Sequence, residues 1–93
     1  MLVIPSVSLE YLHVPVAGAT GAQPVELAVI DSGAEEPAED DWMPADEWDG
    51  TTAKLLIGPD GTLELEDGTY RVWVRVTATP EIPVIRSGLL RIT

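Results

Sequence analysis

Apolar and polar residues alternate with a period of two along much of this chain, and nowhere does a helical period of useful length take over. Residues 7–14 place Val7, Leu9 and Tyr11 on one face and Ser8, Glu10 and Leu12 on the other, which predicts a half-buried strand limited by Pro15. Residues 17–22 are a loop of small residues. After Pro24 a second alternating run, residues 25–30, turns Val25, Leu27 and Val29 inward. Residues 52–57 give another short apolar strand, Gly58-Pro59-Asp60-Gly61 reads as a turn, and residues 62–66 read as the returning partner of a hairpin. The strongest pattern follows at residues 67–77, where Tyr70, Val72, Val74 and Val76 share one face and Arg71, Trp73, Arg75 and Thr77 the other. Pro80 and Pro83 keep the next corner out of a ladder, and residues 84–92 run back as the last strand, with a bulge expected at Gly88.

Six or seven short strands separated by Gly and Pro turns predict an all-β fold, a small β-sandwich or barrel. A chain of 93 residues has room for one domain, residues 1–93, with residues 1–5 as an N-terminal arm and residues 31–50 as one long loop. The composition of that loop, acidic and interrupted by Ser, Gly and Pro, predicts no ladder and at most a single helical turn around residues 44–48.

Charge sharpens the picture of the loop. Five Lys and Arg against sixteen Asp and Glu give a net charge of -11, a balance that repels nucleic acid. Asp31, Glu35, Glu36, Glu39, Asp40, Asp41, Asp46, Glu47 and Asp49 all fall between residues 31 and 50. Such a block reads as a solvated loop or as a surface for a basic partner or a cation. Trp42 and Trp48, six residues apart, are expected to bring their indoles back against the sandwich as anchors. The apolar run Met1, Leu2, Val3 and Ile4 lacks a basic flank and is too short for a signal segment or a membrane span, so no membrane partner is expected.

Candidate chemistry is sparse. There is no cysteine, and His13 is the single histidine, so neither a thiol nucleophile, a Ser-His-Asp arrangement nor a Cys/His metal site has its parts. No phosphate loop or dinucleotide fingerprint appears, and neither an enzyme nor a cofactor is expected. Glu39-Asp40-Asp41 and the Asp46, Glu47, Asp49 group offer oxygen ligands for calcium but lack the spacing of a recognised calcium loop. Two sets of residues point to contacts instead. Arg71, Trp73 and Arg75 project from one face, either beneath the acidic loop or exposed as a patch for a neighbouring subunit. The arm, Met1 to Ile4, reads as an edge strand of this chain or as a strand added to an adjacent protomer.

The run Leu65-Glu66-Asp67-Gly68-Thr69-Tyr70-Arg71-Val72-Trp73-Val74 resembles the corner between the fifth and sixth strands of immunoglobulin-like sandwiches, without the Cys pair of antibody domains. The resemblance implies a tyrosine corner, in which the Tyr70 hydroxyl bonds backbone upstream. Together with residues 46–50 and 77–84, the chain also resembles small virion proteins of tailed phages, particularly those of actinobacterial hosts, in overall pattern and not in a defined motif. That resemblance implies a structural part of the particle, assembled in the host cytoplasm: a capsid decoration or minor capsid protein, or a head-to-tail junction component. Its implied partners are other virion proteins, such as a major capsid or junction protein, or a second copy of the chain. Two other classes stay open, a carbohydrate-binding or adhesion module using Trp42, Trp48 and Trp73, and a calcium-stabilised accessory domain.

Overall fold

Two sheets account for the regular structure of the chain, which a computed structural model describes over residues 1–18 and 21–93. Ala19 and Thr20, within the loop expected at residues 17–22, lie outside the described residues. The strands are β1 (Leu2–Ile4), β2 (Glu10–Pro15), β3 (Val25–Asp31), β4 (Met43–Pro44), β5 (Glu47–Trp48), β6 (Thr52–Ile57), β7 (Gly68–Val76) and β8 (Val84–Ile92). One sheet has the order β1-β8-β7-β3-β4 and the other β2-β6-β5. The architecture is all-β and sandwich-like.

One core cluster joins the sheets. Val25 and Leu27 of β3, Val72, Val74 and Val76 of β7, and Leu90 and Ile92 of β8 meet Leu12 and Val14 of β2 and Ala53, Leu55 and Ile57 of β6. Val29 and Tyr70 are partly buried against the same cluster, so the inward faces expected for residues 25–30 and 70–76 are those observed. The Tyr70 hydroxyl donates to the carbonyl of Glu66 at 2.6 Å, closing the corner before β7. Burial first, then the negative charges of Glu66, Asp31 and Asp67, push its pKa above the ordinary tyrosine value.

The strand expected over residues 7–14, which is β2, departs from expectation. It begins at Glu10, and the face it buries carries Leu12 and Val14, while Val7, Leu9 and Tyr11 are exposed. Residues 7–16 hold two apolar sets on opposite faces, and pairing decides between them. Leu12 sits opposite Leu55 and Val14 opposite Ala53, both fully buried, so the even-numbered set is carried into the core.

A second correction concerns residues 62–66, which form no strand; Leu63 makes a single bridge to Ile57. The flank of β6 away from β2 is already occupied, by β5 and by residue 46. A third lies in residues 31–50. These hold β4, paired with β3, and β5, paired with β6, as well as a 3-10 turn at Glu39–Asp41 instead of one at residues 44–48. Two-residue strands at sheet edges tolerate Pro44, whose missing N–H has no ladder partner to lose.

Near Gly88 the bulge is present. The register of β7 on β8 slips between Arg71 and Trp73, which face Leu89 and Arg86, so Ser87 and Gly88 together oppose Val72. Arg71 donates to the Ser87 carbonyl at 2.9 Å, tying its guanidinium to the bulge.

Candidate functional site

Trp42 and Trp48 both dock, but on different faces. Met43 lies opposite Leu27 and packs on the core, so Trp42, one residue earlier, turns to the outer face of the five-stranded sheet. The Ala45 amide then donates to Val25 of one sheet and the Asp46 amide to Lys54 of the other, so the chain crosses between sheets there. Asp46 and Glu47 are consecutive exposed residues that break the alternation, and Trp48, opposite fully buried Ala53, packs against the core. An even spacing that would keep two indoles on one face of a continuous strand therefore separates them.

On the outer face of the five-stranded sheet, β7 presents Trp73 and Arg75 beside Ala28 and Glu26 of β3. Ala28 and Ile30 are buried although they face away from the core, so that face is covered too. The cover is the acidic loop, whose 3-10 turn packs on β3. Arg75 holds it: its guanidinium lies 4.7 Å from the centroid of the Trp42 ring, reaches Glu26 at 2.8 Å and Glu39 at 3.0 Å. The hydrogen bonds that Arg75 donates to Glu39, followed by the one to Glu26, raise its pKa further above its already high ordinary value. Of the two placements open for the Arg71, Trp73, Arg75 row, Arg75 meets one loop carboxylate, that of Glu39, whereas Arg71 meets the bulge backbone.

Several acids of the loop shape it from within. Asp31 accepts from the Gly33 amide and Asp41 from the Ala38 amide, each at 2.8 Å, and Glu39 pairs with Arg75. Asp46 accepts from the Leu56 amide and the Thr62 hydroxyl. Asp49 accepts from the Thr52 amide and from the amide and hydroxyl of Thr51, and these bonds lower its pKa to about 2. The carboxylates of Glu35, Glu36, Asp40 and Glu47 are exposed and engage no described residue. Among the described residues no three acidic or histidine side chains converge on a point where a metal ion would sit. His13 is exposed on β2, opposite Lys54.

Beside the loop, Glu36, Pro37, Trp42, Trp73 and Val84 line a groove of about 370 Å³. The Trp73 ring nitrogen is buried without a hydrogen-bond acceptor among the described residues.

The opposite flank of the molecule has a different character. The arm folds back as an edge strand of its own chain, parallel to β8, with Leu2, Val3 and Ile4 opposite Leu90, Arg91 and Ile92. Ile4 is buried in the core, while Met1, Leu2 and Val3 are exposed. Next to them along the chain, Val7, Leu9 and Tyr11 are exposed as well. A cleft of about 210 Å³ opens between β1 and β2, reaching Leu12, Val14 and Val72. β1 and β2 each keep one edge without a strand partner among the described residues.

Glu26, Pro37 and Val84 carry no signal that singles them out in the sequence, and Glu36 and Glu39 stand out only as members of the acidic block, because the contacts of all five are set by how distant segments pack together. The exposed Val7, Leu9, Tyr11 set has a signal, the two-faced apolar pattern of residues 7–16. No helix among the described residues is long and apolar enough to cross a membrane. Comparison of the chain with family models, with curated proteins and with solved structures finds no match.

Proposed function

We propose that this chain is a non-catalytic structural protein of a tailed-phage virion, a decoration, minor capsid or head-to-tail junction component with an immunoglobulin-like fold, that works through protein–protein contacts. The carrying observation is the flank of β1 and β2, where Met1, Leu2, Val3, Val7, Leu9 and Tyr11 stand exposed on or beside two strands that each keep one edge unpaired among the described residues. Exposed apolar side chains on and beside edge strands are a cost to an isolated domain and an asset to one that docks on a neighbour.

The strand order supports the immunoglobulin-like part of the reading. The sheet containing β3, β7 and β8 matches the C, F and G strands of such sandwiches, the β2, β6, β5 sheet matches B, E and D, and Tyr70 bonds upstream backbone at the start of β7. The virion part rests on the resemblance of residues 46–50, 65–74 and 77–84 to small phage structural proteins.

Quantitative mass spectrometry of gradient-purified phage particles, assembled from a genome encoding the chain, tests it. The chain is expected at a fixed copy number per particle. The pair Val3→Asp with Val7→Asp, on exposed side chains, is expected to fold normally and be lost from particles. Particles that lack the wild-type chain, or that incorporate the variant equally, would sink the reading.

A further inference from the structure

We infer that the groove between Trp42 and Trp73 is a recognition site for a lysine or arginine side chain presented by a basic segment of a partner protein. The inference rests on the reading of the chain as an assembly component and names the chemistry of one of its contacts.

The groove has what such a side chain requires. Two indoles supply walls against which an aliphatic stem packs; the Trp42 ring already carries Arg75, so Trp73 is the ring left to attract an incoming cation. Glu36 lines it with a carboxylate that no described residue engages, and Glu35 and Asp40, close along the loop, are likewise unengaged. Arg75, by contrast, already carries Glu26 and Glu39, so the local charge is not cancelled from within. Val84, exposed on β8 opposite Arg75, lines the groove, which favours a segment with an apolar residue beside its basic one. A protein of net charge -11 also draws basic partners at long range, with the acids of residues 31–50 aiming the approach at this loop.

Arg86 is the competing cation of this chain. It faces Trp73 across the β7–β8 ladder, is exposed, and does not line the groove.

The test is a titration of the full chain with blocked Gly-Arg-Gly and Gly-Lys-Gly peptides, with Gly-Gln-Gly as control, read by the three indole N–H resonances in proton–nitrogen correlation spectra. The basic peptides are expected to shift the Trp42 and Trp73 signals saturably and to leave Trp48, which packs on the core side, in place. Glu36→Gln is expected to weaken binding roughly threefold or more, the size of one nearby charge in a partly solvated site, while Glu10→Gln on β2 removes the same charge with little effect. Arg86→Gln is expected to retain or strengthen binding. Equal losses from Glu36→Gln and Glu10→Gln, a matching shift from Gly-Gln-Gly, no shift at all, or loss of binding in Arg86→Gln would each overturn the site. The outcome is independent of particle assembly: a chain present in particles with a silent groove keeps the structural role and loses only this contact.

Discussion

The Asp46 carboxylate accepts the backbone amide of Leu56 at 2.7 Å, taking the place of a strand partner on the flank of β6 beyond the end of β5. The same carboxylate accepts the Thr62 hydroxyl at 2.8 Å and so draws in the segment after the turn. One side chain thereby satisfies a sheet edge and fixes the point where the chain crosses between sheets. Asp46→Ala leaves the Leu56 amide to water and is expected to cost about 1–2 kcal/mol, with Asp46→Asn, which keeps an acceptor, costing less. Urea unfolding checks this, and a midpoint for Asp46→Ala equal to the wild type would show that the tie contributes nothing.

Gly58 opens the turn after β6 with φ +133, a backbone conformation open essentially to glycine. A Cβ there would collide with the Ser8 carbonyl oxygen and come within 2.9 Å of the Leu9 Cα, so the segment leading into β2 would have to move. Gly58→Ala is expected to destabilise by at least about 2 kcal/mol. Gly88→Ala, in the β8 bulge with nothing near the added carbon, is the control and should stay within about 1 kcal/mol. Equal melting temperatures for the two variants would contradict the close approach.

Asp49 links stability to acid. Its carboxylate accepts bonds from Thr52 and Thr51, so its pKa falls from 3.8 to about 2 in the folded chain. A group with a depressed folded pKa stabilises fully above its unfolded value and loses that contribution as pH falls through the folded one. The window here is about pH 4 down to pH 2. Asp49→Asn keeps an acceptor but does not titrate, so its melting temperature is expected to lie below the wild type near pH 5 and to converge on it near pH 2. A gap that does not change with pH would mean that the bonds do not favour the charged form.

Strand existence was legible wherever burial is one-sided, as at Val72, Val74 and Val76, because a period of two then leaves one answer. It was ambiguous where both faces are apolar. Leu9 with Tyr11 and Leu12 with Val14 offer equivalent patterns, and only the pairing with Leu55 and Ala53 separates them. Strands β4 and β5 were hidden by a different cause: two-residue ladders have no period to read, and their partners lie 16 or more residues away at Leu27 or follow at Lys54. The same long separations concealed the docked face, since Arg75 and Glu26 are brought together by register across 49 residues of chain. Trp42 and Trp48 announced anchoring, but nothing in their spacing reveals the step at Asp46 and Glu47 that sends them to different faces.

Docking of the acidic loop depends on Arg75, whose planar guanidinium reaches Glu26 and Glu39 while lying against Trp42. Lysine has neither the fork for two carboxylates nor the flat surface for an indole. Arg75→Lys is therefore expected to loosen the loop without breaking the β3–β7 ladder, whose backbone bonds and core side chains Val72, Val74 and Val76 it leaves untouched. Hydrogen exchange is the suitable readout. The Asp41 amide, which closes the 3-10 turn on Ala38, should exchange faster in the variant, whereas amides of β7 keep their protection. Moderate salt should move the wild type in the same direction, since Glu39 is 85% exposed and its pairing is screened. If the turn exchanges equally in both proteins and at both salt levels, the loop is held by burial of Trp42 alone, and Trp42→Ala should then release it where Arg75→Lys did not.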